Sequence, residues 1–269
     1  MPHSRLIGVA ALLLAIAASA LSLTDRWNDL AGGIMIEVGY YQTPDRYILV
    51  GYCSLGVPVY WYEGSGRVFG FLTAGHCTNQ YYQDVVYQPY RSSQVNNYIG
   101  TVLRDSYYSD TSPVVDAALI RIEVSDRRTV RPWIATSAVG YQTDALVDWY
   151  YTPSTAPGSG YSKLGFNCGY DSGLSIIYYG PVQDERGAIT LSYLLVKGRS
   201  QTISACRGDS GGPVFYMWSQ RIDSMTVYYA NILGLIQGGN AESNPTVLLV
   251  APIHEALNRL QVYLYTYRS

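Results

Sequence analysis

Ser210 lies in Gly208-Asp209-Ser210-Gly211-Gly212-Pro213, and the residues after it restrict the fold more than any other stretch of the chain. Flanking glycines expose a serine hydroxyl, permit positive φ and let a substrate approach the main chain. They also let the N–H groups of Gly208 and Ser210 converge on one point, as an oxyanion requires. Gly208-x-Ser210-x-Gly212 fits the nucleophile elbow of an α/β-hydrolase, in which the serine opens a helix. Here Gly211-Gly212-Pro213 leads into Val214-Phe215-Tyr216-Met217-Trp218. Two glycines and a proline disfavour a helix, and the aromatic and β-branched run favours a strand. The α/β reading therefore fails on local structure.

A serine hydroxyl needs a base. The chain has three histidines. His3 lies at the extreme N-terminus, and His254 lies in a helical pattern beside Asn258 and Gln261. His76 follows the strand-like run Val68–Leu72 and is the remaining choice. The order then becomes His, acid, Ser. Asp116 opens Ala117-Ala118-Leu119-Ile120-Arg121-Ile122-Glu123-Val124, whose alternation sets an apolar face against Arg121 and Glu123. An aspartate entering such a strand can be partly buried, as one that orients an imidazole must be. Asp84, Asp105 and Asp110 compete on position but lead into no comparable strand.

Strand-like runs recur at 47–53, 57–62, 67–73, 98–104, 117–124, 189–196, 213–218, 227–236 and 246–250, punctuated by glycine, proline and asparagine. Short strands with frequent turns predict an all-β chain. One helix is expected, within 251–263, with Pro252 in its first turn and Ile253, Ala256, Leu257 and Leu260 on one face. The stretch from Ser125 to Gly140 reads as a connection between two lobes. At the N-terminus, His3 and Arg5 precede an apolar run from Leu6 to Ala18 and the small-x-small triplet Ala18-Ser19-Ala20. Residues 1–20 thus read as a secretory signal, cleaved after Ala20, because the run is short of the roughly 20 residues of a membrane span; an uncleaved anchor is the alternative. Net charge is only −2, so no basic stripe invites nucleic acid. The four cysteines of an exported chain predict two disulfides, and the lack of Cys-x-x-Cys pairs and partner histidines argues against a metal site. The 27 tyrosines suit strand packing with a polar tip; an exposed aromatic platform for polysaccharide is the alternative. The scarcity of lysine, present only as Lys163 and Lys197, has no evident reason in the sequence.

Taken together, Thr73-Ala74-Gly75-His76-Cys77, Asp116-Ala117-Ala118-Leu119-Ile120 and Cys206-Arg207-Gly208-Asp209-Ser210-Gly211-Gly212-Pro213-Val214 resemble the three motifs of the chymotrypsin-like serine peptidases, in particular their bacterial streptogrisin and α-lytic branch. Weaker matches at Ala31-Gly32-Gly33, Cys53-Ser54-Leu55-Gly56 and Gly234–Gly239 extend the resemblance over residues 31 to 263.

The resemblance implies two packed six-stranded antiparallel β-barrels, at 31–135 and 136–250, with a C-terminal α-helix at 251–263. It leaves 21–30 as a short N-terminal or activation segment. It implies a secreted, monomeric, cofactor-free endopeptidase acting on polypeptides, with His76, Asp116 and Ser210 as triad and Gly208 and Ser210 as oxyanion donors. It also implies a Cys53–Cys77 bridge, leaving Cys168 and Cys206 as the second pair. Each bridge is worth about 3–4 kcal/mol in the loop-closure model. Substrate is expected at Ser204, in the base of the primary pocket, at Gly239 in its wall, and along Gln237. An uncharged base implies apolar or aromatic side chains on the acyl side of the cut. An esterase with the same triad, or an inactive binding module on this scaffold, are the rival readings. Asp209 needs a cationic partner if buried. Gly169 stands where the family's arginine would, which leaves Arg207, Arg199 and Arg186 as candidates.

Overall fold

The computed structural model describes residues 21–269 apart from 82, 125–127 and 199. The expected signal segment 1–20, part of the 125–140 connection and Arg199 thus lie outside the described residues. The N-terminal half forms β1 (Asp29–Gly32), β2 (Met35–Thr43), β3 (Arg46–Ser54), β4 (Pro58–Glu63), β5 (Gly66–Thr73), β6 (Val85–Tyr87), β7 (Tyr98–Asp105) and β8 (Ala118–Ile122). The C-terminal half forms β9 (Thr129–Ile134), β10 (Ala145–Tyr150), β11 (Ser159–Gly165), β12 (Gly169–Gln183), β13 (Ile189–Val196), β14 (Pro213–Ile222), β15 (Met225–Gly239) and β16 (Val247–Pro252). A single helix, α1 (Ile253–Leu260), and the short β17 (Tyr263–Leu264) end the chain.

The chain is all-β as the sequence predicts, but it does not form two six-stranded antiparallel barrels. It forms a nine-stranded sheet, ordered β1-β9-β10-β15-β14-β11-β12-β13-β16, and an eight-stranded sheet, ordered β17-β4-β5-β8-β7-β6-β2-β3. Among the strands not read from the sequence, β1 overlaps the expected N-terminal segment, β9 lies in the expected connection between lobes, and β17 starts at the end of the expected helical segment. β1 pairs with β9, and β10 with β15, in parallel register, so the larger sheet is mixed. β17 adds antiparallel to β4 and pulls the C-terminus back onto the first sheet.

Residues 21–31 are built into the core rather than laid over it. Leu23 and Trp27 are buried, and Leu30 and Ala31 are wholly so. The Trp27 amide donates to Gln88 Oε1 at 2.9 Å, and Met35 donates to the Leu23 carbonyl at 2.8 Å. α1 buries Ile253, Ala256, Leu257 and Leu260, the apolar stripe read from its spacing, and stops where Gln261 turns left-handed at φ 52°. His254, on the same helix, is half-buried against Tyr179, with 6.1 Å between ring centroids. Among the described residues, no helix is long and apolar enough to cross a membrane.

Candidate active site

β5 ends at Thr73 and the chain tightens into a 3-10 turn, Gly75–Cys77, that carries His76. The turn is closed by Cys77 N–H on the Ala74 carbonyl at 3.2 Å and by Thr78, whose N–H and hydroxyl both reach the Gly75 carbonyl, at 3.0 and 2.9 Å. A Cys53–Cys77 disulfide fastens the turn to the end of β3. Only glycine fits at 75, because a Cβ there would lie 2.5 Å from Tyr107 Cβ.

Asp116, immediately before β8, is 1% exposed and grips this turn with both oxygens. Oδ1 accepts the His76 backbone N–H at 2.8 Å, and Oδ2 lies 2.7 Å from Nδ1. A carboxylate can only accept, so Nδ1 carries the proton and Nε2 of the neutral ring is left as the acceptor. Burial disfavours the imidazolium, but the charge and hydrogen bond of Asp116 more than offset it, so the His76 pKa is raised. Arg186 pulls it down and Asp184 pushes it up by smaller amounts.

Ser210 sits in two consecutive tight turns: Asp209 N–H to the Cys206 carbonyl at 3.0 Å, and Gly212 N–H to the Asp209 carbonyl at 2.9 Å. Gly208 and Gly211 adopt φ of +96° and +85°. A Cβ on Gly211 would fall 2.2 Å from Thr73 Oγ1 and 2.5 Å from the Ser54 carbonyl, so the glycine lets this loop touch the first sheet. Ser54 does the touching. Its N–H donates to the Ser210 carbonyl at 2.8 Å, and its hydroxyl donates to the Gly208 carbonyl at 3.1 Å while accepting from Phe166 N–H at 3.0 Å. The second disulfide, Cys168–Cys206, joins the start of β12 to the loop.

Asp209 is fully buried and fully partnered. Lys163 Nζ lies 2.8 Å from Oδ2, itself with 0% side-chain exposure. The N–H groups of Asn167, Cys168 and Cys206 complete the shell at 2.9, 3.0 and 3.2 Å. Burial lowers the Lys163 pKa, against the pull of Asp209. Neither Arg207 nor Arg186 fills this place. Arg207 points outward to Glu242 at 3.6 Å, Arg186 donates to the His76 carbonyl at 3.1 Å, and Arg199 is outside the described residues. Both lysines of the chain prove to be paired, Lys163 with Asp209 and Lys197 with Asp171.

His76, Asp116 and Ser210 line one cleft of about 360 Å³. Ala205, Ile236, Pro245, Leu248 and Leu249 give it an apolar part; Asp184, Glu185, Arg186, Arg207 and Glu242 give it a charged rim. Gly239 and Gln237 also line it. The Gln237 amide is engaged elsewhere, with Thr190 Oγ1 and Ser192 Oγ, both at 2.7 Å. Ser204 does not line the cleft: its hydroxyl donates to the Cys168 carbonyl at 3.1 Å and its N–H to Asp171 Oδ2 at 2.7 Å, and Ala205 takes the lining position.

The turn between β12 and β13 overhangs the cleft from the second sheet. Asp184 Oδ1 gathers the N–H groups of Arg186 and Ala188 at 2.9 Å, and Oδ2 accepts the Tyr107 hydroxyl at 2.7 Å. Tyr107 stands edge-on to His76, with 6.3 Å between centroids. Sequence reasoning gave Ser54 no role beyond its place in the weak match at Cys53–Gly56, gave Lys163 none, and did not place this turn at the cleft. Only Lys163 carried a signal, as one of two lysines in the chain.

The model of the trypsin family matches residues 67–258. No curated protein matches the chain closely enough to count as a relative. Among solved structures, Thermobifida fusca protease A is similar at 22% identity and TM-score 0.55, with 88% of this chain and 99% of that one covered. The Nocardiopsis protease is similar at 21% identity and TM-score 0.57, covering 88% and 100%. Cellulomonas bogoriensis chymotrypsin is similar at 19% identity and TM-score 0.56, covering 88% and 99%. At these identities the likeness speaks for the fold, while the family match spans most of the sequence. The chain belongs to the trypsin family of serine peptidases and is a hydrolase of that family.

Proposed function

We infer that Ser210, His76 and Asp116 are the catalytic triad of an endopeptidase. The single observation that carries this reading is the two-oxygen grip of Asp116 on His76, with Ser210 lining the same cleft. His76 Nε2 takes the Ser210 proton as Oγ bonds to the substrate carbonyl carbon. The Gly208 and Ser210 N–H groups then hold the oxyanion, each such donor being worth about 3 kcal/mol. His76 passes the proton to the leaving amine, which departs with the C–N bond electrons. Water, deprotonated by His76, then releases the acyl group. Asp116 remains a carboxylate throughout, fixing the imidazole and stabilising its charged form.

The apolar part of the cleft, from Ala205, Ile236, Leu248 and Leu249, supports an uncharged apolar or aromatic residue on the acyl side of the cut. Gly239 forms its wall. Polypeptides are the substrates, the protein works as a secreted monomer after removal of residues 1–20, and the reaction needs no cofactor.

The test is intact-mass measurement after treatment with a fluorophosphonate. One adduct on the parent and none on Ser210→Ala is expected, with casein hydrolysis lost in the variant. An adduct that survives Ser210→Ala would refute the assignment. Small esters cleaved while casein and peptides stay intact would replace the endopeptidase with an esterase.

A further inference from the structure

The cleft has a polar end that the triad does not use. β14 pairs with β15 only as far as Pro213↔Leu235, whereas β16 follows the opposite edge of β15 to Gly239. Ile236 is then taken by the nucleophile loop: its carbonyl accepts Gly211 N–H at 2.7 Å and its N–H donates to the Gly212 carbonyl at 2.8 Å. Among the described residues, no strand pairs with the cleft-side edge of Gln237-Gly238-Gly239. An extended peptide can add to such an edge by main-chain hydrogen bonds, with its side chains left to choose the sequence. Two consecutive glycines present no side chain there. What faces Gly238 comes from the overhanging turn: a Cβ built on Gly238 would meet Glu185 Oε1 at 3.9 Å.

The other charges of the rim are already engaged. Asp184 is held by Tyr107 and by backbone N–H groups, Arg186 is turned to the His76 carbonyl, and Arg207 faces Glu242. Glu185 has no ion partner among the described residues. We propose that Glu185 is a specificity residue that recruits a lysine or arginine side chain two to four residues upstream of the scissile bond. The preferred substrate is thus a peptide with a cationic residue upstream and an uncharged one at the cut. This rests on the peptidase reading above and adds the charge preference. The site is open to solvent, so the selection is moderate and weakens with salt.

The experiment uses fluorogenic peptides with leucine at the cut and lysine, glutamine or glutamate in turn at the second, third and fourth upstream positions. Values of kcat/KM are measured for the parent, Glu185→Gln and Glu185→Lys at low and high salt. The parent is expected to favour lysine over glutamine by about two- to fivefold at one position in low salt. That ratio should collapse towards one in Glu185→Gln, and in Glu185→Lys the preference should turn to glutamate. A parent with no upstream preference, or a lysine preference that survives both substitutions, overturns the proposal. Failure of the peptidase reading itself is seen separately, as absence of Ser210-dependent fluorophosphonate labelling in the same preparations.

Discussion

Replacing Lys163 by methionine keeps most of the side-chain volume and removes one charge from a site where neither partner touches water. Removing one member of a buried ion pair costs about 3–5 kcal/mol, because the remaining charge stays unpaired in a low-dielectric site. Set against a total stability of about 5–15 kcal/mol, that is a large share. Asp209 precedes the nucleophile, and its carboxylate gathers the N–H groups of Asn167, Cys168 and Cys206, so its displacement would open the Ser210 turn as well. Lys163→Met should therefore lose about 3–5 kcal/mol in urea unfolding at pH 7 and label with fluorophosphonate far more slowly than the parent. A loss below about 1 kcal/mol at pH 7 with unchanged labelling would refute the argument that this pair holds the nucleophile loop.

Three further outcomes follow from the geometry. The acid limb of kcat/KM should lie above the ordinary imidazole pKa, because Asp116 raises His76 and the base must be neutral; Asp184→Asn should move the limb down in pH and Arg186→Gln should move it up. Burial, with the Asp105 charge, pushes Asp84 up to about 7, and its Oδ1 is buried with no partner. Its contribution to stability is full below the unfolded pKa near 3.8 and is lost as pH rises through about 7. Asp84→Asn should thus match the parent at pH 4 and exceed it by about 1–3 kcal/mol at pH 8 in urea unfolding. Deleting 21–31 should prevent stable folding, since Leu23, Trp27 and Leu30 each bury about 1.5–3 kcal/mol of apolar surface. N-terminal sequencing of active enzyme should find Trp27 retained, and a working chain that begins at Gly32 would contradict this.

Alternation and turn residues sufficed where a strand has one wet and one dry face. Residues 189–196 were read to the residue, and 67–73 and 98–104 to within one. They marked no run at β2, β6, β11 or β12, which lie inside antiparallel pairings, nor at β1, β9, β10 and β17. Thr129–Ile134 contains Arg131 and Pro132 and reads as linker, yet it is β9. Its partners are Asp29, Leu30 and Gly32 on one side and Leu146 and Ala145 on the other, and none of these pairs involves Pro132, so a missing N–H costs little there. The two six-stranded barrels were implied by the family resemblance and not by a count of strands, and the mixed nine- and eight-stranded sheets overturn them. Within the site, the motifs located groups whose neighbours are close in sequence or whose chemistry is rare, such as His76. Ser54 acts on carbonyls of a loop about 150 residues away, and Lys163 on an aspartate 46 residues away. No local pattern encodes a pairing of that kind.

The way the two sheets hold each other's catalytic loops follows from where the covalent ties are absent. Cys53–Cys77 lies within the first sheet and its histidine turn, and Cys168–Cys206 lies within the second sheet and its serine loop. Neither bridge crosses the cleft, so neither fixes Ser210 relative to His76. The crossing is made by hydrogen bonds running in opposite directions. Ser54, from the first sheet, holds the carbonyls of Gly208 and Ser210. The β12–β13 turn, from the second, holds the His76 carbonyl through Arg186 and Tyr107 through Asp184. Val114, just ahead of Asp116, also exchanges backbone bonds of 2.9 Å with Ile189 and Leu191 of β13. Proton transfer demands placement to a fraction of an ångström. In this chain that placement rests on reciprocal polar clasps, so loosening either one should lower kcat with the fold and both disulfides intact.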